Sequence, residues 1–133
     1  EKKASEIRKL VVGNWIDAHI LQAEDQPYKA KSIKTFSFGK DGKFQSSEEL
    51  MGQTTPFMKE DWKFISWGNY DFRGDTIILS INREKCPKQI FTRYWTNEKV
   101  WKKEVKPTYD STLTEPKIEF ITYKTLKEDF KKR

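Results

Sequence analysis

Phe36-Ser-Phe-Gly-Lys-Asp-Gly-Lys-Phe44 is the stretch on which the fold turns. Asp41-Gly42 suits a type I′ turn, whose twist matches that of the strands on either side, so residues 31–39 and 43–51 are expected to pair as a β-hairpin. The next strand signal is Trp62-Lys-Phe-Ile-Ser-Trp-Gly-Asn-Tyr-Asp-Phe-Arg73. Its even positions, Trp62, Phe64, Ser66, Gly68, Tyr70 and Phe72, share one face at strand periodicity. Four of these six are aromatic. Gly68 in mid-strand predicts a bulge or bend, as where a curved sheet turns a corner.

Working outward, Arg73-Gly-Asp-Thr76 is a turn into residues 76–81, which place Ile77, Leu79 and Ile81 on one face. Residues 89–96 and 100–105 predict a third hairpin around Thr96-Asn-Glu-Lys99. Residues 107–115 read as a polar connection and 117–125 as a closing strand. Toward the N-terminus, residues 14–21 supply a first strand. Before it lies a short helix with Ser5 as N-cap and Ile7, Leu10 and Val11 as its apolar stripe, ended by Gly13. A weaker helical pattern covers residues 125–133. Eight strands joined by hairpins make an all-β, antiparallel up-and-down meander. Closure into an eight-stranded β-barrel, with the short N-terminal helix outside it, removes the two exposed edges such a meander leaves.

The chain has 133 residues, of which 35% are hydrophobic, 35% charged and 14% aromatic. That is room for a single domain over residues 1–133, able to bury about two-thirds of its open-chain surface. No apolar run approaches the roughly 18 to 20 residues of a spanning helix. Cys86 is the only cysteine, which excludes an intramolecular disulfide and leaves the compartment open. Charges balance over residues 1–82, and the whole excess of six positive charges falls in residues 83–133. That asymmetry suits either a solvated surface or a face for an anionic partner.

Gly13-Asn14-Trp15, between a short helix and the first strand, resembles the Gly-x-Trp opening of the lipocalins. The Asp41-Gly42 hairpin, and Gly68-Asn-Tyr-Asp-Phe followed by Gly74-Asp-Thr, look like the small bacterial lipocalin-like domains. The resemblance implies that Trp15 packs across the closed end of an eight-stranded barrel. It also implies export, to the periplasm, the cell exterior or a lipid anchor. The family often stacks an Arg from near the last strand on this Trp, whereas the closing strand here offers only Lys117 and Lys124. The family's Thr-Asp-Tyr type of turn has no counterpart.

Catalytic signatures are lacking. His19 has no second histidine and no cysteine at metal or triad spacing. No nucleotide, phosphate or nucleophile-elbow motif is present. The acidic pairs Glu24-Asp25, Glu48-Glu49 and Glu60-Asp61 are adjacent residues, which point to opposite faces of a strand. The chain is therefore expected to be no enzyme and to use no cofactor or metal. The candidate ligand-binding residues are Phe36, Trp62, Phe64, Tyr70, Phe72 and Trp95, with Ser66, Thr35 and the Tyr70 hydroxyl as polar handles. An eight-stranded barrel has room for its own side chains or for one small hydrophobic or amphipathic ligand, and the sequence leaves both open. The candidate partner-binding residues are Arg93, Lys99, Lys102 and Lys103, interleaved with Tyr94, Trp95 and Trp101. They suit an acidic protein or a membrane surface. Nucleic acid is the weaker candidate, because alternation turns Phe91 and Trp95 to one face and Tyr94 to the other.

Overall fold

A computed structural model describes residues 4–133. Helix α1 (Ala4–Val11) leads into β1 (Gly13–Leu21), β2 (Ala30–Phe38), β3 (Lys43–Thr55), β4 (Met58–Arg73), β5 (Thr76–Trp95), β6 (Val100–Val105) and β7 (Tyr109–Thr122). Helix α2 (Tyr123–Asp129) and a two-residue β8 (Lys131–Lys132) follow. All pairings are antiparallel, and the strands form one eight-stranded sheet in the order β6-β5-β4-β3-β2-β1-β8, with β7 also on β5. The hydrogen-bonded path does not close on itself.

The β2–β3 hairpin forms in the expected register, with Phe38 opposite Phe44. Its turn is not type I′. Asp41 keeps a negative φ while Gly42 takes φ +82°, and the Gly42 amide donates to the Gly39 carbonyl. This is a type I turn followed by a left-handed glycine, the usual three-residue solution. The Asp41 carboxylate accepts from the Lys43 amide at 3.1 Å, which favours that geometry.

Three further expectations are corrected. The strands expected over 76–81 and 89–96 are not separate but belong to the 20-residue β5, which ends at Trp95. A bulge at Asn82 lets this long strand bend: Gly68 pairs with Ile81, and Trp67 with Arg83. The glycine at that corner is required, since a Cβ on Gly68 would lie 1.8 Å from the Ser80 carbonyl oxygen. Pro87, which has no N–H to offer, falls where β7 ends at Cys86 and β6 begins at Ile90. Second, residues 107–115 are not simply a connection. Tyr109–Thr122 is one strand that returns along β5, sharing its outer edge with β6, so the meander ends at β6. Third, the closing strand stops at Thr122. The Thr122 hydroxyl accepts from the Thr125 amide at 3.1 Å and caps α2, which therefore begins before residue 125. At the other end Ser5 lies within α1 and is not its cap.

Register aligns the inward rows. Gly13, Phe38, Phe44, Gly68 and Ile81 form one row across five strands, and Trp15, Phe36, Ser46, Ser66 and Glu84 form the next. The core sits at the end marked by the Gly39–Gly42 turn. There Trp15, Phe36, Phe38, Phe44, Tyr70, Ile77, Leu79 and Ile81 are buried together, with Ile7 and Val11 of α1, Leu126 of α2, and Phe130. Leu10, expected in the helical stripe, is instead partly exposed.

Trp15 ties this plug together. Its indole Nε1 donates to the Val11 carbonyl at 2.8 Å, and the Lys132 ammonium donates to the Leu10 carbonyl at 2.8 Å while lying 5.5 Å from the Trp15 ring. Two carbonyls that the end of α1 leaves without helical partners are thereby satisfied. The cation over Trp15 comes from Lys132 of β8, not from Lys117 or Lys124.

Candidate functional site

Beyond the plug, the inner face of the sheet is half-buried rather than filled. β2 places Lys34 in the row beyond Phe36; β3 places Glu48 opposite Lys34, and β4 places Phe64 opposite Glu48. The sheet coils far enough that β1, β2, β5, β7 and α2 all line one hollow of about 340 Å³, walled by Asp17, Lys34, Phe36, Leu79, Glu119, Phe120 and Phe130 among others. A second hollow of about 250 Å³ shares Lys34, Phe36 and Glu119 with it and extends over Ser46, Glu48, Phe64, Ser66 and Glu84. The two adjoin through these shared residues and together make up the trough, which is lined by rings and carboxylates.

The wall charge runs against that of the chain. Asp17 and Glu48 flank Lys34 as its cross-strand partners, and Glu84, Glu119 and Asp129 complete the lining, in a protein of net charge +6. Glu84 takes a 2.8 Å ion pair from Lys117, and this hydrogen bond holds the Lys117 ammonium above its usual range. Glu48, Glu119 and Asp129 have no ion pair among the described residues. Lys34 leans over the Phe36 ring at 5.6 Å.

The structure separates the candidate ligand residues into three groups. Phe36 and Phe64 line the trough. Trp62 is half-buried beside Phe64, ring centroids 5.2 Å apart, and its Nε1 donates to Glu60. Tyr70 and Phe72 belong to the plugged end. Tyr70 is buried, its hydroxyl donates to the Gly39 carbonyl, and burial pushes its pKa up. Arg8 of α1 covers both rings, 5.5 and 5.2 Å from their centroids. Trp95 stands apart at the opposite end of the sheet, 45% exposed. Of the polar handles, Ser66 lines the trough, while Thr35 points to the outer face and hydrogen-bonds Ser47.

Asp17, Lys34, Glu84 and Glu119 were not singled out from sequence, and Glu48 was weighed only as half of an acidic pair and set aside. A signal for two of them existed: once Phe38 is set opposite Phe44, counting back places Lys34 opposite Glu48 on the same face as Phe36. Glu84 and Glu119 were hidden by the Asn82 bulge and by the return of β7.

The candidate partner residues Arg93, Lys99, Lys102 and Lys103 are all exposed, on β5, β6 and the turn between them. Lys102 pairs with Glu98 at 2.7 Å and lies 5.6 Å from the Trp95 ring centroid. Among the described residues no group of three or more metal-ligating side chains occurs. The polar contact of His19 is Asp17, at 3.2 Å. Cys86 is fully buried, with its thiol directed at the Lys88 carbonyl. Among the described residues no helix is long and apolar enough to cross a membrane.

Comparison with family models, with curated proteins and with solved structures finds no match to this chain.

Proposed function

We propose that this chain is a lipocalin-like binding module that holds one small amphipathic molecule in the trough on the inner face of its sheet. One observation carries the reading: two neighbouring hollows of about 340 and 250 Å³ share Lys34, Phe36 and Glu119 in their walls, and their summed volume is that of a small-ligand site. The rings of Phe36 and Phe64 suit the apolar part of the guest. The carboxylates around them favour a neutral or cationic head group and disfavour a fatty-acid carboxylate. The activity in this reading is binding without catalysis; the one histidine, His19, has the wall residue Asp17 as its polar contact, at 3.2 Å.

On this reading the coiled sheet is a barrel of the lipocalin kind, with α2 and β8 standing between β7 and β1 at the plugged end. Trp15 over the plug, with Lys132 on its ring, supports that likeness. Export follows from the same resemblance, and fractionation of cells expressing the full reading frame tests it.

The binding test is a tryptophan-fluorescence titration with dodecyltrimethylammonium and with dodecanoate, both below their micelle concentrations. Saturable binding of the cation is expected, with dodecanoate weaker. Phe64→Ala removes one ring wall worth about 1.5 to 3 kcal/mol, so affinity falls roughly 10- to 100-fold. Equal or stronger binding of dodecanoate overturns the head-group assignment, and no saturable binding of either overturns the carrier function.

A further inference from the structure

Two turns meet at the end of the sheet opposite the plug. The β3–β4 turn carries Pro56 and Phe57, and the Tyr94 amide on β5 donates to the Phe57 carbonyl at 2.8 Å, holding that turn against the start of the β5–β6 turn. Phe57 is 54% exposed, Trp95 45% and Val100 40%, so three large apolar side chains lie open on one tip. The flanking segments, residues 55–59 and 93–103, contain Lys59, Arg93, Lys99, Lys102 and Lys103 against the single acid Glu98. Strand alternation sends these cations to both faces. Lys102 lies cross-strand from Arg93, while Lys103 lies cross-strand from Thr92, which itself pairs with Lys59. The cations surround the apolar groups: Arg93, Lys102 and Lys103 lie behind the Trp95–Val100 pair that ends the β5–β6 ladder, and Lys99 lies in the turn beyond it.

We propose that this tip docks end-on to an anionic lipid bilayer. Phe57, Trp95 and Val100 enter the headgroup layer, and the collar of Lys59, Arg93, Lys99, Lys102 and Lys103 sits against the lipid phosphates. Charge complementarity names the surface, and the apolar tip distinguishes it from other anions: tryptophan is at home at the bilayer interface, and basic side chains beside an apolar anchor bind anionic headgroups. A single-stranded nucleic acid needs free ring faces to stack on. Here the Tyr94 ring contacts both Trp101 and Phe57, at 5.3 and 6.4 Å between centroids, and Lys59 lies 4.5 Å from the Trp101 centroid. The rings that remain most exposed are those of Phe57 and Trp95. The tip is remote from the trough, so docking and ligand binding are separable.

The experiment is flotation of the full chain with vesicles of phosphatidylcholine alone and of phosphatidylcholine with an equal part of phosphatidylglycerol. A lipid brominated near the acyl-chain top serves as quencher. Binding to the phosphatidylglycerol vesicles alone, weakened by salt, with Trp95 emission quenched, is expected. The triple variant Lys99→Gln, Lys102→Gln, Lys103→Gln is expected to bind about a hundredfold more weakly. Trp95→Ser removes the quenching signal that the tip contributes. All four sites are exposed, and an unchanged unfolding midpoint confirms that each variant is folded. Absence of binding to the phosphatidylglycerol vesicles overturns the proposal. So does binding that the triple variant leaves unchanged, or displacement of the protein from the vesicles by a single-stranded oligonucleotide.

Discussion

Replacing Trp15 by Ala probes the joint on which the plugged end depends. The indole is 5% exposed, packs within the core cluster, and satisfies the Val11 carbonyl through Nε1. Truncation leaves a cavity the size of a bicyclic ring and a carbonyl without its donor, a loss of about 3 to 5 kcal/mol. A chain of 133 residues loses roughly 3 to 4 °C of Tm per kcal/mol, so Tm should fall by about 10 to 20 °C. Lys132→Met is milder, because the ammonium is exposed: its ring contact and one hydrogen bond together are worth about 1 kcal/mol. The two residues hold adjacent carbonyls of the same helix end, so the double mutant should be less destabilised than the sum of the singles by about 0.5 to 1 kcal/mol. Urea unfolding of the two single variants and the double variant measures all three quantities. A loss below about 1 kcal/mol for Trp15→Ala, or strict additivity with Lys132→Met, would refute the picture of Trp15 as the pin between helix and sheet.

Other perturbations test other parts of the account. Gly68→Ala should destabilise by more than about 2 kcal/mol, because the new methyl collides with backbone and not with a movable side chain; thermal unfolding reads it, and a neutral outcome would mean that the β4–β5 corner is looser than described. Tyr70→Phe should cost about 1 kcal/mol by removing one of the two donors to the Gly39 carbonyl of the hairpin turn, the other being the Gly42 amide. Because burial raises the Tyr70 pKa above its ordinary 10.0, wild type should also lose stability, relative to this variant, as pH climbs through the raised value. Arg83 grips Asp110 with two hydrogen bonds, of 2.9 and 2.8 Å, and these hold the Asp110 carboxyl below its ordinary 3.8. The folded state therefore favours the charged form, and its advantage exists above the ordinary value and is lost as pH falls through the lowered one. The stability gap between wild type and Asp110→Asn should thus narrow in acid below about pH 4, and a gap independent of pH would contradict the pairing.

How much of this was legible in the sequence depends on how local each signal was. The β2–β3 hairpin, the inward face of β4 and the need for a corner at Gly68 rest on turn chemistry and period-two alternation within a few residues, and all three are present in the fold. The length of β5 was not legible: the polar run from Asn82 to Gln89 looks like a break, and only its partners on both edges make it a strand. The return of β7 to the edge of β5 is likewise a tertiary choice, to which the local pattern of residues 107–115 gives no clue. In the trough, Phe36 and Phe64 were marked by their aromatic character. Glu48 was weighed only as half of an acidic pair, and the other carboxylates were passed over, because an acid in an exposed-looking alternation reads as surface until the coil of the sheet brings its strand inward. The cation over Trp15 was sought on the closing strand, and Lys132 escaped notice because a two-residue strand after a helix leaves no periodicity to read.

The carrier function stands or falls on where a ligand sits, and amide chemical-shift mapping of the labelled protein with dodecyltrimethylammonium locates it directly. The largest shifts are expected to cluster at Lys34, Ser46, Phe64, Ser66 and Glu119, with those at Phe57 and Trp95 small. Shifts centred on the Phe57 and Trp95 tip, or spread evenly over the surface, would contradict a ligand site on the inner face of the sheet.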